Sequence, residues 1–386
     1  MDVLTLALVG GTVWASPSEQ PIRNATVLIE GGKIAAVGPA SRIKIPPGAR
    51  KLDCTGLTVT AGFWNSHIHF TERKWSDAAA IPAPELERQL RDMLLRYGFT
   101  SVFDLSSPWE NTRRIRDRIQ AGEVAGPRIL SVGEALLPPD ALPNDTVVAM
   151  MGWMKYPTPE VADAPQAKAA ATALLDRGVD GIKLFASGQR GASMSQETMA
   201  AAVEEGHRRG KPVFVHPNSA ADVLRAVQAG VDIIGHTTPM SGPWDEALLS
   251  AMKERHVAVT PTLTIWRWYA RHDRASAQDK ITDTELSQLR AWHSQGGTVL
   301  YGSDLGAIDY DPTEEFALMS RAGMTFQQIV ASLTTSPAER FGASGKLGRI
   351  AVGLEADVVA FRESFPALRY TIRSGQVVYD HAQQVR

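Results

Sequence analysis

Gly62-Phe63-Trp64-Asn65-Ser66-His67-Ile68-His69 is the stretch on which the reading of this chain turns. Aromatic and apolar residues open it, and His67 and His69 are two apart, the repeat of an extended segment. On a strand both imidazoles therefore project to one face and can hold one ion. Further along, Lys183, His216, His236 and Asp304 each close a short apolar run: Gly181-Ile182-Lys183, Val213-Phe214-Val215-His216, Ile233-Ile234-Gly235-His236 and Gly302-Ser303-Asp304. Four histidines, one lysine and one aspartate in that order supply the donor types of a two-metal hydrolase site.

Strand-like runs of this kind recur eight times, near 63–69, 100–105, 128–132, 180–186, 212–216, 231–235, 258–263 and 298–303. Helical stretches separate them, as in Leu86, Leu90, Met93, Leu94 and Tyr97, whose spacing follows one helix face. Alternating strand and helix predicts a parallel sheet, and eight such units suit an α/β (β/α)8 TIM-like barrel. A barrel of this type gathers its functional residues at the carboxyl ends of the strands, where the six donors fall. Residues 1–60 read differently, as short strands around the turn Gly31-Gly32, and strand patterning returns after Gly345 in Ala356 to Phe361, Leu368 to Ile372 and Gln376 to Tyr379. Neither end holds enough strands to bury a face alone. The expected organisation is one small β-sandwich domain built from 1–60 and 345–386, flanking a barrel over 61–344.

Composition sets the outer bounds. At 386 residues, 44% hydrophobic and 21% charged, the chain suits a folded protein of one large domain with a small one attached. Lys+Arg 40 against Asp+Glu 42 leaves a net charge of −2 without a long run of one sign, so no footprint for nucleic acid or an anionic membrane surface is visible. Cys54 is the single cysteine, which rules out an intramolecular disulfide and a thiolate zinc site; a buried structural role is expected for it. Val3 to Val9 lacks the basic residues of a secretory leader and reads as a strand, and no apolar window reaches the roughly 18 residues of a membrane span. A cytoplasmic location follows as an expectation, with a small molecule as partner and homo-oligomerisation left open.

The chain resembles the amidohydrolase superfamily, in its imidazolonepropionase-like and prolidase-like branch. The resemblance rests on Val27-Leu28-Ile29-Glu30-Gly31-Gly32-Lys33-Ile34-Ala35-Ala36-Val37-Gly38, His67-Ile68-His69, Gly181-Ile182-Lys183-Leu184, Val215-His216, Gly235-His236, Gly302-Ser303-Asp304 and Gly353-Leu354-Glu355-Ala356-Asp357-Val358-Val359, and so spans nearly the whole chain. It implies two divalent ions, zinc first among them. His67, His69 and Asp304 would hold one, His216 and His236 the other, and Lys183, carboxylated by CO2 to N6-carboxylysine, would bridge them. It further implies attack of a bridging hydroxide on an amide-type carbonyl, with Asp304 as general base and then acid. An N-acyl amino acid, a dipeptide, a cyclic amide or an aryl amide or carbamate would each serve as substrate.

Residue chemistry supports the same set independently, because carboxylation turns a repelling cation into an anionic oxygen donor. Each residue also has a plainer reading: His67 and His69 as polar strand positions facing water, Lys183 as a strand-end lysine, Asp304 as a helix N-cap. Their order at strand ends favours ligation. A mononuclear deaminase, a lactonase or esterase, and a non-catalytic scaffold remain alternatives; metal content of two, one or no ions separates the first and last from the binuclear reading. His207, His256, His272, His293 and His381 sit in polar contexts and read as surface or structural.

Two positions depart from the family pattern. Asn65 stands where many relatives carry aspartate, and Pro217-Asn218 follows the fifth-strand histidine. Two long segments, 135–165 with Trp153 and Tyr156 and 262–283 with Trp266, read as loops that set specificity. Tyr156, Trp153, Trp266 and Arg190 are the substrate-contact candidates, and Arg267 and Arg271 share with Arg190 the ability to grip a carboxylate.

Overall fold

The computed structural model describes residues 5–141, 159–188, 192–308, 311–362 and 367–384. Its terminal segments form one eight-stranded sheet. β1 (Thr5–Val13), β2 (Ile22–Glu30), β3 (Lys33–Pro39), β4 (Arg50–Asp53) and β5 (Thr58–Ala61) come from the start of the chain. Gly31 and Gly32 at φ 56° and 79° make the two-residue turn joining β2 to β3, a conformation that only glycine adopts freely at both positions.

β6 (Phe63–Ile68) leaves this sheet, followed by β7 (Phe99–Asp104), β8 (Arg128–Ser131), β9 (Ile182–Phe185), β10 (Val213–His216), β11 (Ile233–Gly235), β12 (Ala258–Thr260) and β13 (Thr298–Val299). All of their pairings are parallel, in a three-stranded sheet β6-β7-β8 and a five-stranded sheet β13-β12-β11-β10-β9. Parallel pairing follows from the helices that return the chain between strands, such as Trp109–Gln120 and Ala220–Gln228. Backbone hydrogen bonds join the two sheets at both edges. At one, Leu136 N–H donates to Lys183 O at 2.8 Å and Phe185 N–H to Leu136 O at 2.9 Å; at the other, Ser66 N–H donates to Tyr301 O and His69 N–H to Leu305 O, both at 2.7 Å.

β14 (Val358–Phe361), β15 (Leu368–Arg373) and β16 (Gln376–Asp380) then return to the first sheet, where β14 pairs antiparallel with β5. That sheet buries its own cluster, including Leu6, Val27, Ile29, Val59, Val358 and Ile372, with Cys54 among them. A second cluster, Phe103, Val132, Phe214, Ile233, Ala258 and Leu300, is drawn from the parallel strands, and Phe341 packs on it. The largest cluster fills the space between strands and helices.

The eight strand runs read from sequence all hold a parallel strand. β4 escaped that reading because Arg50-Lys51-Leu52-Asp53 offers one apolar residue in four. Residues 262–283 correct it: they are helical, with Leu263–Tyr269 and the start of Ala275–Ser294, in place of the expected loop. Of 135–165, residues 142–158 lie outside the described residues.

One ionic contact ties β8 to the returning C-terminal segment. Arg128 donates to Asp357 Oδ2 at 3.0 Å and Glu355 Oε2 at 2.5 Å, and Asp357, almost fully buried, also accepts from Ser374 N–H at 2.8 Å. Arg128→Met would strand the Asp357 charge, so its unfolding midpoint in denaturant should fall by the equivalent of about 2–4 kcal/mol. An unchanged midpoint would show that the two parts hold together without this contact.

Candidate metal centre

β6 delivers His67 near its end and His69 just beyond it, and β9 and β10 carry Lys183 and His216. His236 follows β11 directly, and Asp304 lies five residues past β13. The structure brings these six expected residues together. Asp304 Oδ1 lies 3.1 Å from His67 Nε2 and 2.8 Å from His69 Nε2. The His236 ring lies 4.6 Å between centroids from both His67, tilted at 45°, and His216, edge-on at 70°. His67, His236 and Asp304 offer ligand atoms that all lie within 4.8 Å of one another. Gly235 is what makes room: a Cβ there would come within 3.0 Å of Lys183 Nζ and 3.2 Å of His67 Cε1.

The neighbouring groups fix ring orientation. His69 Nδ1 meets Ser106 O at 3.0 Å, so Nδ1 carries a proton, and in the neutral ring Nε2 is the nitrogen with the lone pair. His236 Nδ1 meets Thr262 Oγ1 at 2.6 Å, and that hydroxyl donates to Pro261 O at 2.8 Å, so His236 is likewise protonated on Nδ1. His216 differs, with Nε2 3.2 Å from Asn218 Oδ1. His236, Thr262 and Asp304 have φ of 77°, 44° and 59°, and Ser106 has 138°. Non-glycine residues in such conformations cost on the order of 1–3 kcal/mol each and persist where surrounding contacts over-determine them. Glu315 supplies one such contact, accepting from Leu263 N–H at 2.8 Å and Thr264 N–H at 3.1 Å next to Thr262.

Burial dominates the electrostatics. It lowers the His67 and His216 imidazoles to about 3 and about 4, with Lys183 adding to the effect, and holds His236 well below its ordinary value. Burial likewise lowers the Lys183 amine to about 7. For Asp304 burial acts upward, yet the combined pull of His67 and His69 outweighs it and keeps the carboxyl well below the usual carboxylate range. The result is that His67, His216 and His236 are neutral and Asp304 is ionised, the protonation states in which such groups ligate metals. Lys183 Nζ, fully buried, has no hydrogen-bond partner among the described residues, and neither has His67 Nδ1. A donor set of this kind around an orphaned amine fits divalent metal ions.

Among substrate-contact candidates, Trp266 flanks the cluster, 6.4 Å from the His236 ring with its Nε1 donating to Thr237 O at 3.1 Å. Trp153, Tyr156 and Arg190 lie outside the described residues. Arg267 is paired with Glu314, and Arg271 stacks on Trp268 at 3.6 Å, so each has a partner within the protein. Trp64 and Trp244 are buried in the core, and His207 and His293 bond to Asp232 and Ala322 O away from the cluster. Ser106, Thr262 and Glu315 had no sequence signal: a backbone carbonyl, one threonine and one glutamate declare nothing until folding places them.

The Amidohydrolase family model matches residues 58–378. An adenine deaminase of Rubrobacter xylanophilus is 23% identical over 402 residues, covering 99% of this chain; the chain spans 58% of that relative's length. An imidazolonepropionase of Cupriavidus metallidurans is 24% identical over 403 residues, covering 92% of this chain and 88% of the relative. Among solved structures, a Xaa-Pro dipeptidase with methionine bound in its active site superposes with a TM-score of 0.81 at 22% identity, covering 97% of this chain and all of that one; at this identity the likeness is one of fold.

The orphaned amine carries a stability cost that substitution can read. In metal-free, CO2-free protein, Lys183→Met should raise the unfolding free energy by about 1–3 kcal/mol, the cost of a buried unsatisfied polar group. The unfolded chain keeps this lysine protonated to about 10, while the folded chain releases the proton near 7. Parental stability therefore climbs with pH between those values. The advantage of the variant is greatest below pH 7 and shrinks as pH rises toward 10, measured by denaturant midpoints across that range. A variant less stable than its parent throughout would show that Nζ has a partner after all.

Proposed function

The chain belongs to the amidohydrolase family, and from that premise we propose that it is a binuclear hydrolase of amide-type C–N bonds. His67, His69 and Asp304 would hold one divalent ion, His216 and His236 a second, and carboxylated Lys183 would serve both as an anionic donor. Zinc matches the imidazole and carboxylate donors. The strands β6 to β13 are read as a closed (β/α)8 barrel over 61–344, with 1–60 and 345–386 as the β-sandwich domain beside it.

The observation that carries the reading is the buried, unpartnered Lys183 Nζ flanked by histidines and an aspartate. As a cation it would repel metal ions; as a carbamate it would add a second source of anionic oxygen to that of Asp304. An amine lowered to about 7 is substantially neutral at physiological pH and can add CO2, losing a proton to form the N–C bond. When bound, such ions supply Lewis-acid polarisation of a carbonyl and acidification of water to near neutrality. Asp304 then moves the proton. Its Oδ1 faces the Nε2 atoms of His67 and His69, and Oδ2 would take a proton from the nucleophile and return it to the departing nitrogen. Trp266 offers an apolar wall beside His236 for whatever the amide bears. N-acyl amino acids, dipeptides, cyclic amides and aryl amides or carbamates all fit this chemistry.

A mononuclear deaminase is the second reading, favoured by the compact His67, His236 and Asp304 group and by the adenine deaminase relative. Elemental analysis of the metal-loaded chain distinguishes them: two ions per chain support the binuclear reading and one supports the deaminase. 13C-bicarbonate added to metal-free protein should give a carbamate carbon resonance that is absent in Lys183→Met and already present near pH 7. Labelling confined to pH above 9, as for an ordinary lysine, would remove the bridge.

Asp304→Asn keeps the size of the side chain but cannot hold a proton at Oδ2. The rate on the best substrate from a screen of the four amide classes should fall about 10²–10⁴-fold. Activity within a few-fold of the parent would place the proton acceptor elsewhere.

A further inference from the structure

Trp266-Arg267-Trp268-Tyr269 lies in the segment that the sequence marks for specificity, and the short helix Leu263–Tyr269 that carries it is fixed at several points. Glu315 accepts from Leu263 N–H and Thr264 N–H at its start, and Trp266 Nε1 donates to Thr237 O. At its end Arg271 lies over the Trp268 ring and donates to Trp268 O at 2.6 Å. Trp266 and Tyr269, three residues apart, share a face of the helix, with ring centroids 6.2 Å apart. That face reaches across the centre. Trp266 stands 6.4 Å from the His236 ring, and Tyr269 packs with Ile265 and Trp268 against Ile308, four residues past Asp304.

Tyr269 is half-buried, yet its hydroxyl has no hydrogen-bond partner among the described residues. Tyr301 shows the contrast, since its buried hydroxyl donates to Pro312 O at 2.6 Å. A phenol set among apolar rings ordinarily finds a partner, so an open one beside the reacting groups is free to meet a substrate. Burial and the nearby charge of Asp304 raise this phenol to about 12, and at neutral pH it is a donor. We propose that Tyr269 is a further catalytic residue, whose hydroxyl donates a hydrogen bond to the carbonyl oxygen of the scissile amide as negative charge builds there. This rests on the reading of the centre as an amide hydrolase. As the nucleophile adds to the carbonyl carbon, the C=O π pair moves onto oxygen; the phenol meets that charge and keeps its own proton, while Asp304 carries the proton from nucleophile to nitrogen. Trp266 on the same face packs the substituent of the amide and so sets the carbonyl against the hydroxyl.

The test compares the zinc-loaded full chain with Tyr269→Phe, which keeps the ring and its packing, on the best substrate of the four amide classes and on the thioamide of that same compound. On the amide, kcat should fall about 10–100-fold, the worth of one hydrogen bond to a charged oxygen, with KM held within about twofold and zinc content unchanged. Sulfur is a poor acceptor, so the substitution should cost the thioamide less than about threefold. Apart from turnover, the phosphonamidate that puts tetrahedral phosphorus in place of the carbonyl carbon should bind the variant about 10–100-fold more weakly than the parent in calorimetry. An unchanged kcat would overturn the inference, as would equal losses on amide and thioamide. A loss borne by KM alone would do the same, since it would put the hydroxyl on a part of the substrate that does not react. A parent inactive on all four amide classes would instead remove the hydrolase reading on which the role of Tyr269 rests.

Discussion

The contact on which the centre depends is the hydrogen-bonded seam between the first parallel strand and the segment after the last. Ser66 and His69 donate their N–H groups to Tyr301 and Leu305, and Asp304 N–H returns one to His67 O at 2.8 Å. Three of the six donors, His67, His69 and Asp304, are residues of that seam, so the join that links the two sheets also sets the distance from Asp304 Oδ1 to both imidazoles. The approach is close enough to dictate glycine: a Cβ at Gly302 would lie 2.7 Å from His67 Cβ, and one at Gly306 would lie 1.8 Å from His69 O. Asn65 bolts the same seam from within. It donates to Ser303 Oγ at 2.6 Å and accepts from Ser303 N–H at 3.2 Å. Aspartate at this position would have added a further negative charge to a fully buried site, whereas the neutral amide bridges the seam without one.

Burial at the centre works against folding as well as for chemistry. Three imidazoles are kept neutral, one amine is left without a partner, and several non-glycine residues occupy positive φ. Behind Thr262, Glu315 is raised to about 8 by burial, and Glu285 lies well above the carboxylate range through burial and its proximity to Glu315. The signs oppose one another. Neutral buried imidazoles favour the folded state more as pH rises toward 6.5, while raised carboxyls hold protons that the unfolded chain has already lost and so favour it less over the same interval. Net stability near neutrality is therefore a balance between two buried groups of residues, and the surrounding packed helices and strands are what over-determine the strained positions between them.

Much of this was legible from residue order. His67, His69, Lys183, His216, His236 and Asp304 each close an apolar run, and strand periodicity placed those runs within a few residues of where they lie. The signal was strong because parallel strands buried on both faces read as continuous apolar runs, and polar residues at their ends interrupt those runs. Legibility failed where it depends on tertiary contact. Arg50 to Asp53 forms a strand because β1 offers an edge, with no apolar alternation to announce it. Residues 262–283 read as a loop, since Trp266-Arg267-Trp268-Tyr269 lacks an obvious period; Thr264, Ile265 and Trp268 nonetheless bury one side of a short helix, and Leu263 is buried at its start.

The supports of the three oriented histidines differ in what they expose to change. His69 is held by a backbone carbonyl, which any residue at 106 would still supply provided it tolerates the unusual φ. Thr262 holds His236 through a hydroxyl that serine could replace. Asn218 alone requires a side chain with one donor end and one acceptor end, so its neighbours Ser187 and Asp222 belong to the same support. Dependence therefore lengthens from a backbone atom, to one hydroxyl, to a chain of three side chains. Where the chain of support is longest, a substitution at a residue that does not touch the imidazole has the most routes by which to alter its orientation, and the segment after β10 is that place.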